Sequence, residues 1–106
     1  MKTILIADDS VNGREFLKTV LIHAGYAVVE TANGQEAIET AGACKPDLII
    51  LDLQMPVKDG YQTAAELRRM AAFRTMPILA LTAFAMEGDR EKALAAGFTA
   101  YLTKPI

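Results

Sequence analysis

Cysteine is nearly absent: Cys44 is the only one in 106 residues, so no internal disulfide can form. A reducing compartment is therefore allowed. Neither charge is in excess. Eleven basic and 13 acidic residues leave a net −2, which offers no broad field for nucleic acid or an anionic membrane. No apolar run approaches the roughly 20 residues that a bilayer span needs. The opening run Ile4-Leu5-Ile6-Ala7 meets Asp8-Asp9 too early for a secretory leader. There is no low-complexity tract and no internal linker. These absences point to a cytoplasmic domain with no direct nucleic-acid or membrane partner. At 106 residues, 52% of them apolar, the chain is long enough for one compact domain with a real core and too short for two.

What is present is a recurring unit: a short β-rich run followed by a helical stretch. Thr3–Ala7 is apolar and β-branched and reads as a buried strand. Phe16, Leu17, Val20, Leu21 and Ala24 recur at helical spacing up to the stop at Gly25. Ala27–Thr31 reads as the second strand. Asn33 is placed to cap the next helix, with Glu36 as its capping-box partner and Ala37, Ile38 and Ala41 as its apolar stripe. Asp47–Leu51 is the third and most apolar strand. After a polar loop with Pro56 and Gly60, Ala64, Leu67 and Ala71 define a third helix, with Asp59 as its cap. Ile78–Leu81 forms the fourth strand, Met86–Ala96 a fourth helix ended by Gly97, and Ala100–Thr103 the fifth strand. Strict alternation implies parallel strands with helical crossovers on both faces. Right-handed crossovers leave a few doubly wound α/β arrangements, of which the flavodoxin-like order 2-1-3-4-5 suits five strands.

In such sheets ligands bind beyond the carboxyl ends of the strands, where the order reverses. Strand one ends in Asp8-Asp9, strand three in Asp52, strand four in Thr82 and strand five in Lys104. Any one of these could simply be a strand end reaching water; together they form a constellation. Three close carboxylates repel one another unless a cation is present. Mg²⁺ fits, since it takes one or two carboxylates, waters and phosphate oxygens. With Mg²⁺ and Lys104 the edge can accept a dianionic phosphoryl group. Asp52, expected to be innermost, is the natural acceptor and would form an aspartyl-phosphate. Asp8 and Asp9 would hold the metal, and Thr82 would donate its hydroxyl to a phosphoryl oxygen.

With those residues in place, the sequence resembles a response-regulator receiver domain of bacterial two-component signalling. The resemblance rests on Ala7-Asp8-Asp9-Ser10, Leu51–Gly60, Leu81-Thr82-Ala83 and Tyr101–Pro105, and runs over essentially the whole chain. Thr82–Asp89 is similar to single-domain cell-division regulators, and Asp8–Arg14 to receivers of hybrid kinases. The resemblance implies that Asp52 takes its phosphoryl group from a sensor histidine kinase or a histidine phosphotransfer protein. It implies Mg²⁺ bound by Asp9, Asp52 and the backbone carbonyl of Gln54, with Asp8 acting through water. Thr82, Ala83, Lys104 and Tyr101 would form the phosphate-binding and switch group, and the Lys104–Pro105 peptide would be cis. The switched surface around strand four, helix four and strand five would control an unidentified downstream protein. Helix four, built mainly of alanines, should dock weakly.

One departure carries a consequence. Receivers carry a fifth helix after strand five, and this sequence stops at Ile106. One domain over residues 1–106 is therefore expected to leave a face of strands four and five bare, which points either to a shortened or incomplete chain or to a partner covering that face, such as a second copy in a homodimer. His23 reads as a charge suited to the end of helix one, Cys44 as filler, and Arg68-Arg69 as a solvated face. A phosphatase of the haloacid-dehalogenase type needs Asp-x-Asp, whereas here the two acids of strand one are adjacent and Asp52-Leu53-Gln54 lacks the second acid. A nucleotide cradle would not be acidic at Asp8-Asp9, and no Gly-x-x-x-x-Gly-Lys-Ser/Thr occurs. The expected role is a switch with only self-phosphorylation and autodephosphorylation, not an independent enzyme.

Overall fold

The computed structural model describes residues 1–83 and 87–103. The elements run β1 (Thr3–Ala7), α1 (Val11–His23), β2 (Ala27–Thr31), α2 (Gly34–Cys44), β3 (Leu48–Asp52), α3 (Gly60–Arg69), a 3₁₀ turn (Ala71–Phe73), β4 (Ile78–Thr82), α4 (Asp89–Ala95) and β5 (Ala100–Thr103). All five strands are parallel, in the order β2-β1-β3-β4-β5. The flavodoxin-like arrangement is therefore the observed one.

Alternation along each strand sorts the core into two layers. Leu5, Ile49, Leu51, Ile78 and Ala80 point to one face and join Ala37 and Ala41 of α2, Ala64 and Leu67 of α3, and Ala93 of α4. Ile4, Ile6, Ile50 and Leu81 point to the other, where they meet Leu17 of α1. Three helices thus cover one face and, among the described residues, α1 alone covers the other.

Several local readings need correction. Ala71 is not part of α3: the helix ends at Arg69, and Ala71 is exposed at the start of the 3₁₀ turn. β3 begins at Leu48 because Asp47 turns its carboxylate to the Thr3 N–H at 2.8 Å. α4 begins at Asp89, after Gly88 adopts a left-handed conformation; Met86 lies outside the described residues. Asn33 does cap α2, but Glu36 completes no box with it: its carboxylate accepts from the Ala32 N–H and the Asn33 amide instead. The full capping box belongs to Asp59 and Gln62 at α3. The apolar stripe read into α1 is only half used. Leu17 is buried, whereas Phe16, Val20 and Ala24 are exposed.

Arg68 is no solvated charge. Its guanidinium donates to the carbonyls of Gly97 (2.8 Å), Phe73 (2.7 Å) and Met76 (2.6 Å), and to Thr99 Oγ1 at 3.2 Å. It ties the end of α3 to the segments before β4 and after α4. Gly97 suits the place twice over: its φ is +111°, and a Cβ there would lie 2.9 Å from Arg68 Cγ. Arg69, the next residue, is exposed as read.

Candidate functional site

The register sets the site. Ala7 lies opposite Leu51, so the next residues, Asp8 and Asp52, emerge side by side from β1 and β3. Asp52 in turn lies opposite Leu81, which puts Thr82 one step further along the same edge. Asp8, Asp9 and Asp52 each offer a carboxylate oxygen within 4.8 Å of the others.

Asp9 is exposed, while Asp8 and Asp52 are 2% and 6% exposed. The expectation that Asp52 lies innermost is thus corrected: Asp8 is at least as deep. It leaves β1, which lies between β2 and β3, and α1 folds back over it. The Ser10 N–H donates to Asp8 Oδ1 at 2.9 Å, and a Cβ on Gly13 would come within 2.8 Å of Asp8 Oδ2. Ser10 itself caps α1, accepting from the Gly13 N–H. The Gln54 N–H donates to Asp52 Oδ1 at 2.9 Å while its side chain stays exposed. Three oxygen donors held so closely suit one hard divalent cation, which supplies the positive charge that lets a phosphoryl group approach carboxylates.

Thr82 is 1% exposed at the end of β4, and Ala83 follows it in the open. Tyr101 packs against the larger core cluster, and its hydroxyl is buried with no hydrogen-bond partner among the described residues. Burial, then the charge of Asp89, holds its hydroxyl above the ordinary tyrosine range. Lys104 and Pro105 lie outside the described residues. Beside the acids, the loop turns tightly: the Lys58 N–H reaches the Pro56 carbonyl at 2.7 Å across Val57, whose φ is +69°. A β-branched residue in that region is strained, as backbones at functional edges often are.

Other participants were not singled out from the sequence. Arg14 donates to the Asp8 carbonyl at 2.6 Å and lies 3.6 Å from Glu30, joining α1 to the site and to β2. A cleft of 610 Å³ opens at the acids, lined by Asp9, Gln54, Asp59 and Thr82 and also by Tyr61, Asp89 and Lys92. The Lys92 ammonium lies 4.5 Å over the Tyr61 ring, which meets Phe98 edge-on at 6.2 Å. Only the three-residue spacing of Asp89 and Lys92 on α4 hints at this in the sequence; Tyr61 is on another helix.

With this geometry the family comparison is decisive: the response regulator receiver domain family matches residues 4–106. The chain belongs to the response regulator receiver family. It is 35% identical to the polar-differentiation response regulator DivK of Brucella anthropi, over 99% of this chain and 85% of that protein. The chemotaxis response regulator CheY4 of Vibrio cholerae has the same fold, with a TM-score of 0.94 at 34% identity, covering 100% of this chain and 88% of that one. The receiver domain of the sensor histidine kinase PA1611 from Pseudomonas aeruginosa is 38% identical, with a TM-score of 0.91 over 99% of this chain and 86% of its own; its structure holds a magnesium ion coordinated in the active-site cleft. As a receiver, this chain is a phosphoacceptor module of two-component signalling rather than an independent enzyme. Its three-carboxylate cluster is arranged as a receiver's phosphorylation and Mg²⁺ site. Its partners are of the histidine kinase or phosphotransfer class. No helix among the described residues is long and apolar enough to cross a membrane.

Proposed function

We propose that Asp52 is the residue phosphorylated, within one receiver domain spanning residues 1–106. The convergence of Asp8, Asp9 and Asp52 carries the reading. Asp52 Oδ attacks phosphorus in line, and the donor's leaving group departs with the electron pair. Its Oδ1 already accepts from the Gln54 N–H, which orients the carboxylate. Asp9, Asp52 and the Gln54 carbonyl would hold Mg²⁺, with Asp8 acting through water, and the ion would supply positive charge for the incoming phosphoryl group. The Thr82 hydroxyl, the Ala83 backbone and Lys104 take the phosphoryl oxygens. Tyr101 completes the switch, and Pro105, outside the described residues, is assigned a structural role beside Lys104. The buried Tyr101 hydroxyl, with no hydrogen-bond partner among the described residues, supports that role, since a buried polar group left unsatisfied costs free energy that a movement can recover.

The output surface is that around β4, α4 and β5, read by a downstream protein; neither nucleic acid nor membrane is assigned as a partner. A second copy of the chain is the proposed occupant of the thinner sheet face, where Phe16 (54%), Val20 (47%) and Leu102 (41%) are exposed. Sedimentation at tens of micromolar tests this: a monomer would overturn it, whereas a dimer lost in Phe16→Glu would support it. For the acceptor, acetyl phosphate and Mg²⁺ are added to the wild type and to Asp52→Asn, and intact mass is measured. One phosphoryl group gained by the wild type alone is the expected result; an equal gain in Asp52→Asn would refute the assignment.

A further inference from the structure

The cleft in front of the acids has an uneven charge lining. Asp9, Asp59 and Asp89 line it, and Asp8 and Asp52 each hold a carboxylate oxygen within 4.8 Å of one of Asp9. Lys92 is the one cation among the described residues that line it. Its ammonium is held 4.5 Å over the Tyr61 ring, and Tyr61 is braced by the edge contact with Phe98. No ion pair of Lys92 with an acid occurs among the described residues. A long, exposed lysine is ordinarily free to leave, but a ring face beneath it gives it a preferred place.

From this placement we propose that Lys92 sets the receiver's preference among small phosphodonors by charge, favouring dianionic acyl phosphates. The inference rests on phosphorylation at Asp52. A dianion entering this mouth meets carboxylates on several sides, and one cation at the rim offsets part of that repulsion. The chemistry is the same for each donor. With acetyl phosphate, the Asp52 oxygen forms a bond to phosphorus while the bond to the acetate oxygen breaks, and acetate leaves with the electron pair. With phosphoramidate, the phosphorus–nitrogen bond breaks and ammonia leaves. At neutral pH acetyl phosphate is a dianion and phosphoramidate a monoanion, so a field effect separates the two and a packing effect does not.

The test measures phosphorylation rates by intact mass with both donors and Mg²⁺, at low salt and at about 0.5 M salt, for the wild type, Lys92→Gln and Lys92→Arg. Mg²⁺ affinity is measured separately by calorimetry. Lys92→Gln is expected to slow reaction with acetyl phosphate by about three- to tenfold at low salt, and with phosphoramidate by less than about twofold. High salt should close the gap, and Lys92→Arg should retain the wild-type preference. Mg²⁺ should bind Lys92→Gln as tightly as the wild type or more tightly, because a repelling charge is gone. Equal slowing with both donors, weakened Mg²⁺ binding, or no slowing would overturn the inference while leaving Asp52 as acceptor. Phosphorylation of Asp52→Asn at the wild-type rate would instead overturn the acceptor assignment.

Discussion

The two faces of the sheet are built very differently. Among the described residues, α2, α3 and α4 join one face in a cluster of fifteen buried residues, and α1 joins the other in a cluster of five. The strands themselves are not the cause, since β1, β3 and β4 present apolar side chains to both sides. What differs is how much helix lies against them. The well-covered face also carries the polar fastenings, namely the Arg68 clamp and the Asp59–Gln62 box. The thinner face is fastened chiefly at its edge, where Arg14 and Lys18 of α1 both reach Glu30 of β2. Stability should therefore reside mainly on one side of the sheet, while the site sits on the edge both sides share.

The sharpest test is truncation on each side. Leu67→Ala, at a fully buried position, should cost about 3 kcal/mol in urea unfolding. Ile22→Ser, on exposed α1, should change stability by less than about 0.5 kcal/mol. Comparable losses would abolish the contrast. Next comes Arg68→Met, which leaves three backbone carbonyls without their donor; about 2 kcal/mol is expected, with amide exchange rising most around residues 93–99. Exchange that rises uniformly would mean that Arg68 does not fasten this corner in particular. Smaller again, Asp59→Ala should cost about 1 kcal/mol through loss of the α3 cap, as Ser10→Ala should for α1. A much larger loss at Ser10 would show the thin face to be the more delicate.

The smallest effect is a pH dependence at the edge of the thin face. The hydrogen bond to Glu30, then its charge, raises the Lys18 pKa above 10.5. The folded form thus holds this proton more tightly than the unfolded chain. The contribution is fully present below the unfolded value and disappears as pH rises through the folded one. The difference in melting temperature between wild type and Lys18→Gln should accordingly be small at neutral pH and vanish in strong alkali. A difference that grew with pH would contradict the sign.

Much of this protein could be read from local residue patterns. Strands show as short β-branched runs, helix ends as Gly25 and Gly97, and α3's start as Asp59, because each depends on neighbours in sequence. The site acids were legible for a related reason: a strand that ends in a carboxylate must place it at the sheet's edge. Other features were not legible. Leu17 and Phe16 are adjacent in sequence and alike in hydropathy, yet only the first is buried, since burial depends on what packs against the helix. Lys104 and Pro105 remain sequence assignments, outside the described residues.

The sequence by itself determined the alternation of strand and helix and the chemistry delivered to the strand ends, since both follow from short-range periodicity and residue type. Only the tertiary structure decided that Asp8 lies as deep as Asp52, that Arg68 is a clamp, and that Lys92 shares a cleft with Asp9. Those facts depend on contacts between residues up to tens of positions apart, such as Arg68 with Gly97, and local propensity carries no record of them.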